Sequence, residues 1–453
     1  MASAVRGPIL KGSALFGTAA VGVAYYQRLP ASSGDHRLEW REGLASRVYR
    51  KLVAPLVMGT DPETAHIATL RAARLWQAAR LIWEPLWICK TPVDWLFRPS
   101  PSKVVNSGPS IRQDLFGGRL SFESPLGIAA GFDKNADLVP LYRLGAFPGL
   151  GFSEVGSVSA QPSEGNERPR CFRLPKDEAV INRMGLNNEG CVAIADRLQS
   201  YAVLGSARTP SAGSPPRAPV GVNIAKTHSP SILGEAAVED FVTSFKTLEP
   251  YADFVVLNIS CPNTAEGKTF EEREPLGELL TKISEARSVL TEPPPLLVKL
   301  SPPADTAEGR VQLRELVEVA RSSGIVDGFV VSNTAGDRAV RLSAEGREAA
   351  SAIGRGGLSG RPLRDRSTAA VREVYRLTGG KVPIIGVGGV DSAEAAYEKI
   401  RAGASLVEVY TGLVYKGPWL FADLHVGLRR LLERDGFASI GEAVGADVRA
   451  STA

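Results

Sequence analysis

Residues 382–412 read VPIIGVGGVDSAEAAYEKIRAGASLVEVYTG and contain one complete strand–helix–strand unit. An apolar run at 382–389 ends in glycines, a helical stretch follows at 392–402, and a second apolar run at 405–412 ends in another glycine. Both runs are apolar almost throughout rather than alternating, which is typical of parallel strands buried on both faces. This stretch therefore predicts a β-α-β unit of a parallel sheet.

The same unit recurs from about residue 124 onward. The apolar runs are Leu126–Ala130, Phe152–Gly156, Val220–Ala225, Phe254–Ser260, Leu296–Ser301, Gly328–Thr334, Val382–Gly389 and Ser405–Gly412. Helices are expected at 185–201, 238–250, 276–290, 309–322, 366–377 and 392–402, with a hairpin at 168–182 and an exposed loop at 204–218. Eight such units predict an α/β fold of the (β/α)8 TIM-barrel class. An open doubly wound sheet is the alternative, although residues 129–134 (AAGFDK) are not a dinucleotide-type glycine fingerprint.

Polar side chains lie toward the carboxyl ends of these runs, where the active site of a barrel is expected. They are Lys134, Asn223, Asn258, Ser260, Lys299, Asn333 and Thr334. Lys299 interrupts the apolar run 296–300 (LLVKL), and a buried ammonium group is costly unless an anion pairs with it. A structural ion pair would explain this lysine. Lys134 is expected at the same height along the barrel as Lys299, however, and this recurrence favours a functional positive charge.

Glycine-rich turns follow the last two runs, at 386–389 (GVGG) and 410–412 (YTG). The loops after strands seven and eight are the usual phosphate site of such barrels. Glycines let backbone N–H groups approach a phosphate closely. The two turns together predict a phosphate-bearing cofactor, and residues 354–360 (GRGGLSG) add a further glycine loop.

The heptapeptide 258–264 (NISCPNT) places a thiol between amide side chains at the end of a strand. Cysteine is often a buried core residue, and that is the simplest explanation of Cys261. Pro262 ends the strand directly afterwards, which favours a loop position over the site. A free thiol has a pKa of about 8.5, so its thiolate is accessible as a general base near neutral pH.

The charge of the chain is concentrated at its N-terminus. There are 53 Lys+Arg and 49 Asp+Glu residues, for a net charge of +4. Arg6, Lys11 and Arg28 lie in the acid-free stretch 1–34, so the rest of the chain is nearly neutral. A nucleic-acid binder, which needs a basic stripe on its folded domain, is excluded. Four widely spaced cysteines and four histidines also form no metal-ligand spacing.

The composition suggests three parts: a targeting segment and membrane anchor at 1–34, a helical domain at 35–98, and a barrel at 99–453. The apolar stretch 9–26 is barely long enough to span a bilayer, and a cleaved secretory signal is the alternative. Two amphipathic helices follow, the second opening with a capping-box spacing at 60–63 (TDPE). The pair either packs on the barrel or lies on a membrane surface.

Taken together, these motifs resemble the dihydroorotate dehydrogenase family. The matching segments occur in the family's order and are 130–134 (AGFDK), 154–157 (EVGS), 180–185 (VINRMG), 258–264 (NISCPNT), 332–334 (SNT), 356–363 (GGLSGRPL) and the two glycine turns. The N-terminal stretch and the helix pair resemble the quinone-dependent class. That resemblance implies a mitochondrial inner-membrane location with a single N-terminal anchor.

The resemblance implies oxidation of (S)-dihydroorotate to orotate in pyrimidine (UMP) biosynthesis, with FMN as hydride acceptor and ubiquinone as final acceptor. Positions matching FMN-binding residues are Ala130, Gly131, Lys134, Ser157, Asn182, Asn223, Asn258, Lys299, Ser332, Gly357, Gly389, Tyr410 and Thr411. Positions matching substrate-binding residues are Lys134, Asn182, Asn258, Asn263, Asn333 and Thr334, with Cys261 as the base for the C5 proton. Val57, His66, Arg173 and Tyr410 match positions along the quinone tunnel.

Two positions depart from the quinone-dependent pattern. That class usually carries serine where this chain has Cys261, and many animal members have glutamine where it has Val57. Cysteine is typical of the soluble class, so a fumarate- or NAD-linked enzyme is an alternative. A non-redox phosphate-binding barrel with Lys299 as a Schiff-base lysine and an inactive membrane-bound protein are more distant ones. The sequence does not indicate an oligomeric state.

Overall fold

The computed structural model describes residues 49–83, 108–143, 145–201, 217–260 and 270–451 of the 453. The strands are β1 (Gln113–Leu115), β2 (Leu120–Phe122), β3 (Leu126–Ile128), β4 (Phe152–Val158), β5 (Cys171–Leu174), β6 (Ala179–Asn182), β7 (Val220–Ile224), β8 (Phe254–Asn258), β9 (Leu296–Leu300), β10 (Gly328–Val331), β11 (Gly357–Gly360), β12 (Ile384–Val387) and β13 (Leu406–Val409). Eight of them close a barrel in the order β3-β4-β7-β8-β9-β10-β12-β13. Every pair is parallel, so the predicted TIM barrel is confirmed with all eight of its strands.

Helices cover the outside of the barrel and extend it at both chain ends. The helices are α1 (Ala54–Met58), α2 (Pro62–Trp83), α3 (Val139–Arg143), α4 (Cys191–Ser200), α5 (Glu235–Leu248), α6 (Arg273–Arg287), α7 (Ala307–Ser322), α8 (Ala344–Ile353), α9 (Arg364–Leu377), α10 (Ala393–Ala402), α11 (Thr411–Lys416), α12 (Leu420–Asp435), α13 (Ile440–Ala443) and α14 (Ala446–Ala450). The six predicted helices are all present with boundaries shifted by a few residues. The segment 340–353, which the sequence left unexplained, contains α8.

Aromatic rings close the end of the barrel opposite the strand carboxyl ends. The β1–β2 hairpin contributes Phe122, which packs edge-on against Phe152 at 5.6 Å between ring centroids. Glycines in the neighbouring strands leave room for the rings: a Cβ on Gly127 would lie 2.4 Å from the Phe152 ring, and one on Gly221 would lie 2.1 Å from the Phe254 ring. The interior is therefore filled at this end, which leaves the opposite end for a site.

The predicted hairpin at 168–182 is confirmed and forms part of a larger sheet. β5 and β6 pair antiparallel, and β11 adds to the other edge of β6. The glycine loop predicted at 354–360 is thus a strand over its last four residues, Gly357–Gly360. The β10–α8 connection also joins this sheet, because Ala335 and Leu358 exchange backbone hydrogen bonds of 3.0 and 2.7 Å.

The helix pair predicted before the barrel is described from Tyr49, so the first part of its first helix lies outside the described residues. α2 begins at Pro62, and the Asp61 carboxylate accepts the backbone N–H of Thr64 at 2.8 Å. Glu63 in its first turn binds Arg170 at 2.7 Å and Arg168 at 3.0 Å. Arg170 and Glu63 are both buried, so this pair fastens α2 to the segment that leads into β5.

We expect Glu63→Ala to lower the free energy of unfolding by about 3 kcal/mol, because it leaves the buried Arg170 guanidinium without its carboxylate. Burial alone would raise the pKa of Glu63, but the hydrogen bonds and charge of Arg170 outweigh it and hold that pKa below its usual range. Glu345→Ala is the matched control, since the ion pair of Glu345 with Lys176 is solvent-exposed. Glu345→Ala should lower the free energy of unfolding by less than about 1 kcal/mol. Equal losses in urea titrations of the two variants would contradict this assignment.

Candidate active site

A cavity with about 1640 Å³ of empty space, including the part open to solvent, lies at the carboxyl ends of the barrel strands. The strand ends form its floor, β5, β6 and β11 form one wall, and the start of α2 forms another. The predicted site residues that line it are His66, Ala130, Gly131, Lys134, Ser157, Arg173, Asn182, Asn258, Lys299, Ser332, Asn333, Thr334, Gly389, Tyr410 and Thr411. Most of the predicted FMN, substrate and tunnel positions are therefore brought together in one cavity.

Five predicted positions are not among the described residues that line the cavity. Asn223 is completely buried beside it, where its side-chain amide donates to Glu154. Gly357 lies next to Asn182, whose amide is 3.4 Å from the Gly357 carbonyl oxygen. Val57 is in α1 and does not line the cavity. Cys261 and Asn263 lie outside the described residues, so their roles stay predictions.

Amide and hydroxyl groups form a connected cluster above β8 and β10. Asn258 donates to Ser157 Oγ at 2.9 Å. Asn333 donates to the backbone oxygen of Ser260 at 3.0 Å and to its Oγ at 3.1 Å. The Ser260 hydroxyl in turn donates to Asn258 Oδ1 at 3.1 Å. These bonds fix the direction in which each amide faces the cavity, which is what recognition of a planar substrate with amide edges requires.

The turn that carries Lys134 is held from inside the protein. The buried Asp133 carboxylate accepts backbone N–H groups of Asp137 at 2.7 Å and Leu138 at 2.8 Å. Burial, followed by the nearby Asp137 carboxylate, raises the pKa of Asp133 to about 7. Lys134 Nζ lies 2.8 Å from Asn187 Oδ1 at the cavity wall. The turn thus presents one ammonium group to the cavity from a fixed backbone.

Lys299 enters the cavity floor from inside the barrel. It is 4 % exposed, and its Nζ lies 2.9 Å from Glu154 Oε1, which also accepts from Asn223 at 2.7 Å. Burial alone would lower the pKa of Lys299, but the charge and the hydrogen bond of Glu154 oppose it, and the pKa is raised. The ion pair considered from the sequence is present, and Lys299 also lines the cavity. It therefore supplies a permanent cation at the cavity floor.

The glycine turn after β12 forms a tight cradle at the edge of the cavity. Gly389 has φ +70°, and a Cβ there would lie 2.5 Å from Arg364 Cα. Thr411 donates to Ser359 Oγ at 2.9 Å across the cavity edge. The turn is also held on its buried side. The Ser367 hydroxyl donates to the Gly388 carbonyl oxygen at 3.0 Å and accepts a hydrogen bond from Lys399.

Lys399 gives a pH-dependent prediction. It is fully buried, and burial, followed by the Arg364 charge, lowers its pKa to about 7. In the unfolded chain this lysine has an ordinary pKa of about 10.4. Between about pH 7 and about pH 10.4 the unfolded chain therefore binds more protons than the folded chain. Wild-type stability should therefore rise relative to Lys399→Met by about 2 kcal/mol from about pH 7 to about pH 9. Urea titrations of both proteins at each pH test this, with exposed Lys381→Met as the control; a constant difference would refute it.

Aromatic groups line the side of the cavity next to α2. The His66 ring packs edge-on against Phe132 at 5.1 Å, and Phe132 packs edge-on against Tyr410 at 5.8 Å. Burial, followed by the nearby Lys134 charge, lowers the pKa of His66 to about 4, so the ring is neutral at pH 7. Arg173 donates to the backbone oxygen of Thr60 at 2.6 Å. This side of the cavity therefore combines aromatic rings with the charged side chains of Glu63 and Arg173.

Two acidic residues of the site were missed from the sequence. Glu154 in β4 and Glu408 in β13 are 0 % and 1 % exposed, and Glu408 lines the cavity. Each stands in an otherwise apolar run, FSEVGSV for β4 and LVEV for β13. This is the same signal that singled out Lys299, since a charge inside a buried strand needs a partner. Applied to acidic residues, it would have found both.

The fold and the cavity define the class as a (β/α)8-barrel enzyme with its active site at the carboxyl ends of the strands. The sequence model described as dihydroorotate dehydrogenase matches residues 113–432. The chain belongs to the dihydroorotate dehydrogenase family.

Curated relatives and solved structures agree with this assignment. Relatives named dihydroorotate dehydrogenase (quinone) include those of Deinococcus deserti, 43% identical over 88% of this chain and 100% of the relative, and of Halobacterium salinarum, 40% identical over 88% and 99%. The crystal structure of the Eimeria tenella enzyme in complex with ferulenol is 31% identical, with a TM-score of 0.69 over 86% of this chain and 98% of that one. The ligand-free Eimeria tenella structure is 35% identical, with a TM-score of 0.66 over 75% and 92%.

The predicted mitochondrial inner-membrane location with a single N-terminal anchor is contradicted by these comparisons. The curated relatives are bacterial and archaeal, and such organisms have no mitochondria. Within the described residues, no helix has the length and apolar character needed to cross a membrane. Residues 1–34, on which the anchor prediction rested, lie outside the described part of the chain.

Proposed function

We propose that this chain oxidises (S)-dihydroorotate to orotate in pyrimidine biosynthesis and passes the electrons to a quinone. The observation that carries the proposal is the match to relatives named dihydroorotate dehydrogenase (quinone), which are 40–45% identical, several over 87–88% of this chain. The lining of the cavity supports it, because amides, a lysine and a glycine cradle surround one space. Ubiquinone is the quinone that we propose.

FMN is the cofactor that the residues of the cavity fit. The cradle at Gly389 has no room for a side chain, and Thr411 lies beside it. Lys299 places a cation at the floor, and Glu408 contributes buried polar atoms there. Bound FMN supplies a hydride acceptor whose electrons can then pass to a quinone. The residues that would hold it are those matched from the sequence, from Ala130 to Thr411.

Substrate binding falls to the amide cluster and to Lys134. Dihydroorotate presents amide edges and a carboxylate, and the side chains of Asn182, Asn258 and Asn333 offer donors and acceptors to such edges. The Lys134 ammonium group offers a charge-assisted bond to the carboxylate. Thr334 lines the same part of the cavity, and Asn263 completes the set in this proposal. Their common role would be to hold the substrate ring in one orientation in the cavity.

The proton at C5 of the substrate needs a base, and we assign that role to Cys261. It directly follows Ser260, whose backbone and hydroxyl are fixed by Asn333 and Asn258. Ser260, the residue after which the chain continues to Cys261, is therefore fixed by hydrogen bonds to the amide cluster. A Cys261 thiolate would accept this proton, and Lys299 would supply a cation to compensate negative charge on a bound cofactor.

The quinone is proposed to approach between the helices of the 35–98 segment. His66, Arg173 and Tyr410 line the cavity on that side, and the neutral His66 ring suits an apolar ligand. Val57 is proposed as a tunnel residue farther out on α1. The Arg173 bond to Thr60 ties the start of α2 to strand β5.

Anaerobic mixing with dihydroorotate tests the proposal. The bound flavin should bleach, and ubiquinone should then restore its colour faster than fumarate or NAD. Absence of bleaching would overturn the proposed function. Faster reoxidation by fumarate or NAD would instead favour the soluble class, for which Cys261 is the one specific observation.

A further inference from the structure

Three ionisable side chains meet inside the barrel beneath the cavity. Glu154 of β4, Lys299 of β9 and Glu408 of β13 are 0 %, 4 % and 1 % exposed. Two carboxyl groups thus face one ammonium group in an interior that is otherwise apolar. Ionised groups in such surroundings are costly unless each has a counter-ion. One cation cannot serve two carboxylates equally well, so the protonation state of this cluster is constrained.

The hydrogen bonds in the cluster are unevenly distributed. Glu154 Oε1 accepts from both Lys299 and Asn223, at 2.9 and 2.7 Å. Glu154 Oε2 and both oxygens of Glu408 have no hydrogen-bond partner among the described residues. Both carboxyl groups act on the same ammonium group, and a side-chain hydrogen bond with Glu154 is among the causes that raise the pKa of Glu408. Carboxylate oxygens only accept, so a proton on one group is needed to join them.

The surroundings determine which carboxyl group holds the proton. Glu154 has the cation and the amide donor, whereas Glu408 has neither as a hydrogen-bond partner. Burial, followed by the charge of Glu154, raises the pKa of Glu408 well above its usual range. The strands flanking β13 bring no other charge, because Gly127 and Val387 are the register partners of Glu408. Among the residues that the structure describes, Glu154 and Lys299 are the charged groups that act on it.

We propose that Glu408 is a protonated positioning residue that donates a hydrogen bond to Glu154 and thereby keeps the cluster electrically neutral around Lys299. One ammonium and one carboxylate then balance each other at the floor of the cavity. The positive end, Lys299, lines the cavity. An ionised Glu408 would instead give the floor a net negative charge and oppose reduction. The role toward the flavin rests on the proposed function, but the protonation of Glu408 does not.

Infrared difference spectroscopy tests the protonation directly. The spectrum of the wild-type holoenzyme minus that of Glu408→Gln should show the carbonyl stretch of a protonated carboxylic acid, above the amide bands. Asp133, whose pKa burial raises to about 7, is common to both proteins and cancels. Glu154→Gln should shift the band, because it replaces the carboxylate that accepts the proposed hydrogen bond from Glu408. If Glu408→Gln does not fold, this second variant provides the test. Absence of the band would overturn the proposal.

A matched control assigns the band. Glu271 is another buried carboxyl group, 2 % exposed, and accepts the backbone N–H of Ser301 at 2.9 Å. The wild-type protein and Glu271→Gln should both retain the band. Loss of the band in Glu271→Gln would assign it to Glu271 instead and overturn the proposal.

The midpoint potential of the bound flavin gives a second readout. Glu408→Gln exchanges one neutral donor for another and should leave the potential nearly unchanged. Glu154→Gln removes the anion that opposes Lys299 and should shift it to a more positive value. A positive shift of equal size in Glu408→Gln would mean that Glu408 is ionised. Failure of dihydroorotate to bleach the flavin would overturn the proposed function while leaving the infrared band in place, so the two failures are distinguishable.

Discussion

Replacing Cys261 with alanine should lower turnover with dihydroorotate by about two to four orders of magnitude, the usual contribution of a positioned general base. Cys261→Ser should keep measurable turnover but move the pH optimum to more alkaline values. The reason is that a hydroxyl proton is held far more tightly than the proton of a thiol, whose pKa is about 8.5. Steady-state rates with a quinone acceptor across the pH range measure both effects.

Flavin content and substrate binding provide the control for this experiment. Neither should change in the alanine variant, since the thiol is assigned to proton removal and not to binding. Equal activity of wild type, serine and alanine variants would remove Cys261 from the mechanism. A loss of flavin with the loss of turnover would make it a structural residue instead.

Lys299→Met should slow reduction of the flavin by dihydroorotate by about two to three orders of magnitude, because it removes the cation where negative charge develops. It should also lower the free energy of unfolding by about 3 kcal/mol, since Glu154 loses its buried partner. Stopped-flow bleaching measures the first effect, and urea titration of the same preparation measures the second.

The double variant Lys299→Met with Glu154→Gln separates these two roles. Removing the stranded carboxylate should recover a large part of the lost stability, because a neutral amide is less costly to bury than a carboxylate. The rate should stay low, since no cation returns to the cavity floor. If the rate recovered together with the stability, Lys299 would have only a structural role.

The barrel was predictable because its strands are short apolar runs separated by helical stretches. The predicted runs overshoot the strands at their carboxyl ends, as at Ala130 and Ser260, because those residues leave the ladder and turn to the site. β11 was mistaken for a loop since two of its four residues are glycine and show no alternation. The β1–β2 hairpin was missed because each of its strands has only three residues.

The candidate site was predictable where a polar residue ends, follows or interrupts an apolar run. Asn258 ends such a run, Asn333 follows one and Lys299 interrupts one, and all three line the cavity. Glu63 could not be found in this way, since its partner Arg170 is far along the chain and the pairing arises only on folding. Glu408 could have been found as Lys299 was, because it also lies inside an apolar strand. Its pairing with Glu154, in contrast, depends on the closure of the barrel.

The three-stranded sheet beside the cavity has a mechanical consequence. Its strand β5 holds the backbone before α2 through Arg173, its central strand β6 ends at Asn182 in the cavity wall, and its strand β11 joins the connection after β10 at Ala335. Tyr415 of α11 adds a third attachment, because its hydroxyl donates to the Ala179 backbone oxygen at 2.7 Å. Because the three strands are hydrogen-bonded to one another, a displacement at one of these points is resisted at the others. The sheet thus acts as a stiff bracket between the wall that faces α2 and the rim of the barrel.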